Sequence, residues 1–136
     1  MKFKSLKIFL VVACGFMCLP AMAEFVLVVN PKNPVTSMTA EQASQFYLGI
    51  SNSFVPYDQA DSSPLRAEFY KKITNKEPGQ VRAIWAKLVF TGKGRMPKEL
   101  ASSEEVKKTI AADPNGIGYI EKAAVDASVK VVLTVP

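Results

Sequence analysis

Strands alternate with helices along this chain, which predicts an α/β layered domain: a single mixed, mostly parallel sheet flanked by helices. Two observations carry that expectation. The runs at 25–29 and 129–135 are almost continuously apolar and β-branched, the pattern of strands buried on both faces. Between them, four stretches have helical periodicity, and each is opened by a capping or proline signal.

The elements follow in order. Phe25-Val26-Leu27-Val28-Val29 is the first strand, broken by Pro31 and Pro34. Thr39 to Gln42 is a capping box, with Ala43, Phe46 and Tyr47 at helical spacing and Gly49 as the stop. Phe54 to Asp58 reads as a strand that Pro56 places near an edge. Pro64 suits the first position of the next helix, which makes Ser63 its N-cap. Leu65, Phe69 and Ile73 form its apolar stripe, and Lys71 and Lys72 sit in its last turn, where cations favour the helix dipole. Pro78 opens a third helix with Val81, Ile84, Trp85, Leu88 and Val89 on one face. A basic, glycine-rich loop follows, from Phe90 to Pro97. Ser102 to Glu105 is a second capping box, with Val106 and Ile110 on the inward face. Asp113 to Gly116 is a turn, Ile117 to Ile120 a strand, 121–127 a short helix, and Val129 to Val135 the last strand.

The first 23 residues predict export. Lys2, Lys4 and Lys7 form a basic region, Ile8 to Leu19 an apolar one, and Ala21-Met22-Ala23 a cleavage site. These are the three parts of a secretory signal peptide, and the apolar run is too short to span a membrane. The domain is therefore expected at 24–136, exported, with no membrane span after cleavage. Cys14 gives an alternative reading as a lipid-acylation site.

Export changes the charge arithmetic. The whole sequence carries +5. Without the three N-terminal lysines, 14 basic residues face 12 acidic ones, so the basic excess does not point to nucleic acid. Both cysteines, Cys14 and Cys18, precede residue 24, and the sequence has no histidine. That excludes disulfides, thiol nucleophiles, Ser-His-Asp triads and histidine-ligated zinc from the expected domain. Glu104 and Glu105 are adjacent near a helix start and read as dipole and capping residues rather than an acid/base pair. No enzyme and no cofactor is expected.

Three groups of residues could do chemistry. Ser62, Ser63 and Arg66 stand at a helix start, where hydroxyls, backbone N–H groups and a guanidinium converge on an anion, or where an ordinary N-cap sits beside a surface arginine. Thr91-Gly92-Lys93-Gly94-Arg95 lacks the P-loop pattern and reads as a helix stop, but Lys93 and Arg95 add positive potential. Asp58 and Asp61 flank the serine turn and could orient it. Trp85 and Phe46 read as core.

Several of these segments together resemble the phosphate-binding-protein family, the periplasmic substrate-binding proteins of ABC phosphate importers. They are Thr39 with Phe46-Tyr47-Leu48-Gly49; Val55 to Ser63 with Arg66 and Phe69; Trp85; Phe90-Thr91-Gly92; and Asn115-Gly116-Ile117-Gly118-Tyr119. More closely, the chain is similar to short, single-lobe exported members. The resemblance implies one lobe of a type 2 periplasmic-binding-protein fold that takes phosphate or a similar small oxyanion, with Ser62, Ser63, Arg66, Lys93 and Arg95 as the candidate ligand-binding residues. Long members carry an arginine followed four residues later by Ser-Gly-Thr at a helix start. The resemblance puts Ser63 on that serine, and Gln59, Pro64 and Leu65 where the family has arginine, glycine and threonine. These departures remove a guanidinium, a backbone donor and a hydroxyl. They motivate an alternative expectation: an interaction or sensory module that docks an envelope partner such as a transporter permease or a sensor kinase.

Overall fold

The computed structural model describes residues 24–136; the expected signal peptide and Cys14 lie outside the described residues. The chain runs β1 (Phe25–Val29), α1 (Ala40–Tyr47), β2 (Val55–Gln59), α2 (Pro64–Thr74), α3 (Pro78–Phe90), β3 (Lys98–Leu100), α4 (Ser103–Ala112), β4 (Gly116–Glu121), a 3-10 turn (Lys122–Ala124) and β5 (Lys130–Val135). The sheet has the order β3-β2-β4-β1-β5. β2 is parallel to β3 and β4, and β1 is antiparallel to β4 and β5. Four strands thus point one way and β1 runs against them, the mixed α/β lobe the sequence predicts.

Alternation along β1 explains its unbroken apolarity. Phe25, Leu27 and Val29 pack under α1, α2 and α3, while Val26 and Val28 pack on the other face with Val106 and Ile110 of α4. The strand is fully buried, as predicted, although both its pairings are antiparallel. At the centre of the larger core, the rings of Phe69 and Tyr119 stack with centroids 3.8 Å apart, and Tyr47 meets both edge-on.

Local signals set the helix ends. The Gln42 amide donates to Thr39 Oγ1 (3.1 Å) and the Thr39 amide to Gln42 Oε1 (3.0 Å), closing the capping box of α1. Gly49 follows with φ +72°, a conformation that favours glycine. On β4, a Cβ at Gly118 would lie 2.6 Å from Val106 Cγ1, so the glycine is what lets α4 lie close to the sheet.

Three expectations change. β3 stands in a stretch, 98–101, to which the sequence assigns no element, because its three residues hold a single apolar side chain and show no periodicity. The helix expected over 121–127 contracts to the 3-10 turn. The apolar stripe of α3 is buried at Val81 and Trp85, but Val89 faces solvent.

Candidate functional site

Two loops leave the carboxyl end of the parallel strand pair and go to opposite faces of the sheet. The loop after β2 leads to α2 on the face shared with α1 and α3; the loop after β3 leads to α4 on the other. Adjacent parallel strands whose connections diverge open a crevice at their carboxyl ends, the usual ligand position in open α/β sheets. A cleft of about 400 Å³ lies there, lined by Gln59, Ser62, Ser63, Pro64, the segment 101–104, Glu121 and Ala124.

The cleft brings together the starts of two helices. Ser63 is the N-cap of α2 by position, but its hydroxyl does not cap: it donates to Gln59 Oε1 (2.7 Å). Pro64 has no N–H, and the Ser63 and Arg66 amides are spent on the Ala60 and Ser63 carbonyls. This end therefore offers hydroxyls and the Leu65 amide. Ser102 caps α4, accepting from the Glu105 amide at 3.3 Å, and its carbonyl takes the Val106 amide. The Ser103 and Glu104 amides at the open end of α4 have no intrahelical acceptor by helix geometry.

Gln59 joins the two ends. From the last position of β2 it accepts from Ser63, donates to the Tyr119 carbonyl (2.8 Å) and reaches Ser103 Oγ at 3.4 Å. Its own amide donates to Asp58 Oδ1 (2.8 Å). Sequence reasoning treats Gln59 only as a lost arginine; its bridging role depends on Ser103, 44 residues away, and no local signal announces it. Ser102 and Ser103 are likewise read from sequence only as a cap.

Behind the cleft lies a buried polar hub. Asp58 accepts 2.5 Å hydrogen bonds from the Tyr119 and Tyr70 hydroxyls, one on each carboxylate oxygen. Arg66 Nη2 lies 3.5 Å from Asp58. The Arg66 Nη1 donates to Asp61 and, at 3.1 Å, to Glu99 of β3. Arg82 adds a second guanidinium to Asp61 at 2.7 and 2.8 Å. Burial alone would lower the Arg66 pKa, but Asp58, Tyr70, Glu99 and Asp61 together hold it above the usual value. Hydrogen bonding from Arg82 and the charge of Arg66 hold Asp61 below the usual carboxylate range.

The five predicted site residues do not converge. Ser62 and Ser63 line the serine cleft. Arg66 does not: its guanidinium is buried and shared among three carboxylates, so the expected anion-facing arginine is instead a tie between β2, the serine turn and β3. Lys93 and Arg95 line another cleft, beside Val55 and Pro56 at the opposite end of β2. Two carboxylates belong to the serine cleft: Glu104, paired with Lys107 at 3.0 Å, and Glu121. Among the described residues there is no cluster of metal-ligating side chains, and no helix is long and apolar enough to cross a membrane.

No protein-family profile and no curated protein matches the sequence. Solved structures do match the fold. An ABC-type phosphate transport receptor from Vibrio cholerae superposes with a TM-score of 0.66 at 22% identity, covering 81% of this chain and 47% of that one. A protein described as a phosphate ABC transporter substrate-binding protein from Clostridium perfringens, solved with bound phosphate, gives 0.61 at 23% identity, covering 81% and 45%. PstS from Borrelia burgdorferi gives 0.61 at 15% identity, covering 81% and 47%. The chain spans about half the length of these structures, and at such identities the likeness is one of fold.

Proposed function

We propose that this protein binds phosphate, or a closely similar oxyanion, in the serine cleft at the carboxyl ends of β2 and β3. The observation that carries the reading is the convergence of two helix starts and the serine hydroxyls of positions 62, 63, 102 and 103 on one crevice. Helix starts present oriented N–H dipoles and a positive partial charge, so an anion gains hydrogen bonds there with little reorganisation. The fold neighbours support the choice of anion, since two are described as phosphate transport proteins and one of these was solved with phosphate bound.

In this reading the Ser103, Glu104 and Leu65 amides and the Ser62 hydroxyl hold the oxygens, while the Ser63 hydroxyl stays on Gln59. Gln59 fixes the spacing of the two helix starts, and Arg66 positions the serine turn from behind. Glu104 and Glu121 supply acceptors. A phosphate that still carries a proton can donate to them, whereas sulfate, fully ionised at neutral pH, meets them as like charges. The site therefore prefers phosphate. The protein acts without catalysis, after export to the periplasm, in phosphate uptake or sensing.

Calorimetric titration tests this. Phosphate should give a saturable signal, sulfate a weaker one, and Ser103→Asp, which puts a carboxylate among the donors, should abolish binding while leaving the protein folded. Equal affinity for phosphate in Ser103→Asp would exclude this cleft.

A further inference from the structure

The other end of β2 carries a second cleft of different character. Segments 49–56 and 85–95 wall a cavity of about 220 Å³. Trp85, Phe46 and Phe54 line it, each nearly buried. Trp85 Nε1 donates to the Tyr47 carbonyl (2.7 Å), which fixes the indole. Gly94 lies against that ring: a Cβ there would be 3.3 Å from it. The cavity is smaller than the ~300–1,000 Å³ of ordinary small-molecule pockets and suits one large side chain.

Around it the surface is apolar and positively charged. Of the six exposed large apolar side chains among the described residues, Val55 lines the cavity and four more (Ile50, Val89, Phe90 and Met96) belong to or directly follow the two wall segments in the chain, with Phe90 92% and Ile50 71% exposed. Such clustering on a water-facing surface marks a contact site more than scatter does. The stretches 49–56 and 85–98 contain Lys87, Lys93, Arg95 and Lys98 and no acidic residue. None of these four cations belongs to an ion pair among the described residues. Residues 24–136 together carry only +2, so the positive charge is concentrated here against a net negative remainder.

We propose that this cleft docks an acidic protein segment, which buries one large apolar side chain against Trp85 and sets carboxylates against Lys93 and Arg95. An apolar anchor in a preformed pocket supplies the binding energy, and the cationic rim selects and steers the partner. The surface is separate from the serine cleft, so the proposal does not depend on oxyanion binding.

Trp85 is the sole tryptophan, so its emission reads occupancy directly. The probe is a blocked Asp-Glu-Phe-Glu-Asp peptide. It should shift Trp85 emission saturably, protect the indole from acrylamide quenching, and bind more weakly as salt screens the rim. Replacing the peptide's Phe by Ala should remove the response. The doubly substituted Lys93→Glu, Arg95→Glu protein should bind the peptide at least tenfold more weakly while its phosphate titration is unchanged. A flat titration to millimolar peptide overturns the proposal, as does an equal response to a lysine-flanked Phe peptide. A response to phosphatidylglycerol vesicles but not to the peptide assigns the surface to lipid and also overturns it. So does an emission change with protein concentration alone, which marks self-association.

Discussion

Asp58 is an acceptor surrounded by donors: two tyrosine hydroxyls, the Gln59 amide and a guanidinium meet one buried carboxylate. Such a group stabilises only while its partners remain, because each unpaired member would keep its desolvation cost. Asp58→Ala should cost about 3–5 kcal/mol, since it strands part of the Arg66 charge and two buried hydroxyls; chemical denaturation measures it. The tyrosines make a second prediction. Burial first, and then the charge of Asp58, push the Tyr47, Tyr70 and Tyr119 hydroxyls above their ordinary 10.0. Burial and the hydrogen bond to Asp113 raise Tyr57 to about 12. The folded state thus favours the neutral phenols. Their contribution is whole below pH 10.0, where the unfolded chain's tyrosines are also protonated, and is lost as pH rises from there toward the folded values. Each tyrosine adds a slope of about 1.4 kcal/mol per pH unit in that range. The melting temperature should fall steeply above pH 10, and one that holds through pH 11 would contradict the buried network. From sequence, Asp58 and Asp61 are recognisable as neighbours of the serine turn. That Arg66 turns inward to them is not, because its three carboxylate partners come from β2, the turn and β3, the last 33 residues on.

Most elements are legible because local chemistry and tertiary packing agree at them. Thr39 with Gln42, Pro64, Pro78 and Ser102 each mark a helix start where the structure has one. β3 escapes because its strand character comes from pairing with β2, a contact that lies outside any local window. Val89 fits the apolar period of α3 but faces water, because the helix passes beyond the core before it ends. The clearest test at this scale is on β4. Gly118→Ala should cost about 1–3 kcal/mol, because the new Cβ meets Val106 in a packed core, and thermal unfolding should register it. A neutral substitution would mean that α4 is free to move off the sheet.

At the scale of the molecule, β2 is an axis with a different surface at each end: polar, built from helix starts, beyond Gln59, and apolar and cationic beside Val55. The sequence joins these in one candidate site, since Ser63, Arg66, Lys93 and Arg95 all read as anion-friendly; the direction of β2 separates them. The central claim is that phosphate occupies the polar end. The most direct measurement is a phosphate titration of the ¹⁵N-labelled protein followed by amide NMR shifts. The account predicts saturable shifts at Ser62, Ser63, Leu65, Ser103 and Glu104, with Lys93, Gly94 and Arg95 unmoved. Shifts confined to the Lys93–Arg95 loop, or none in the folded protein, would contradict it.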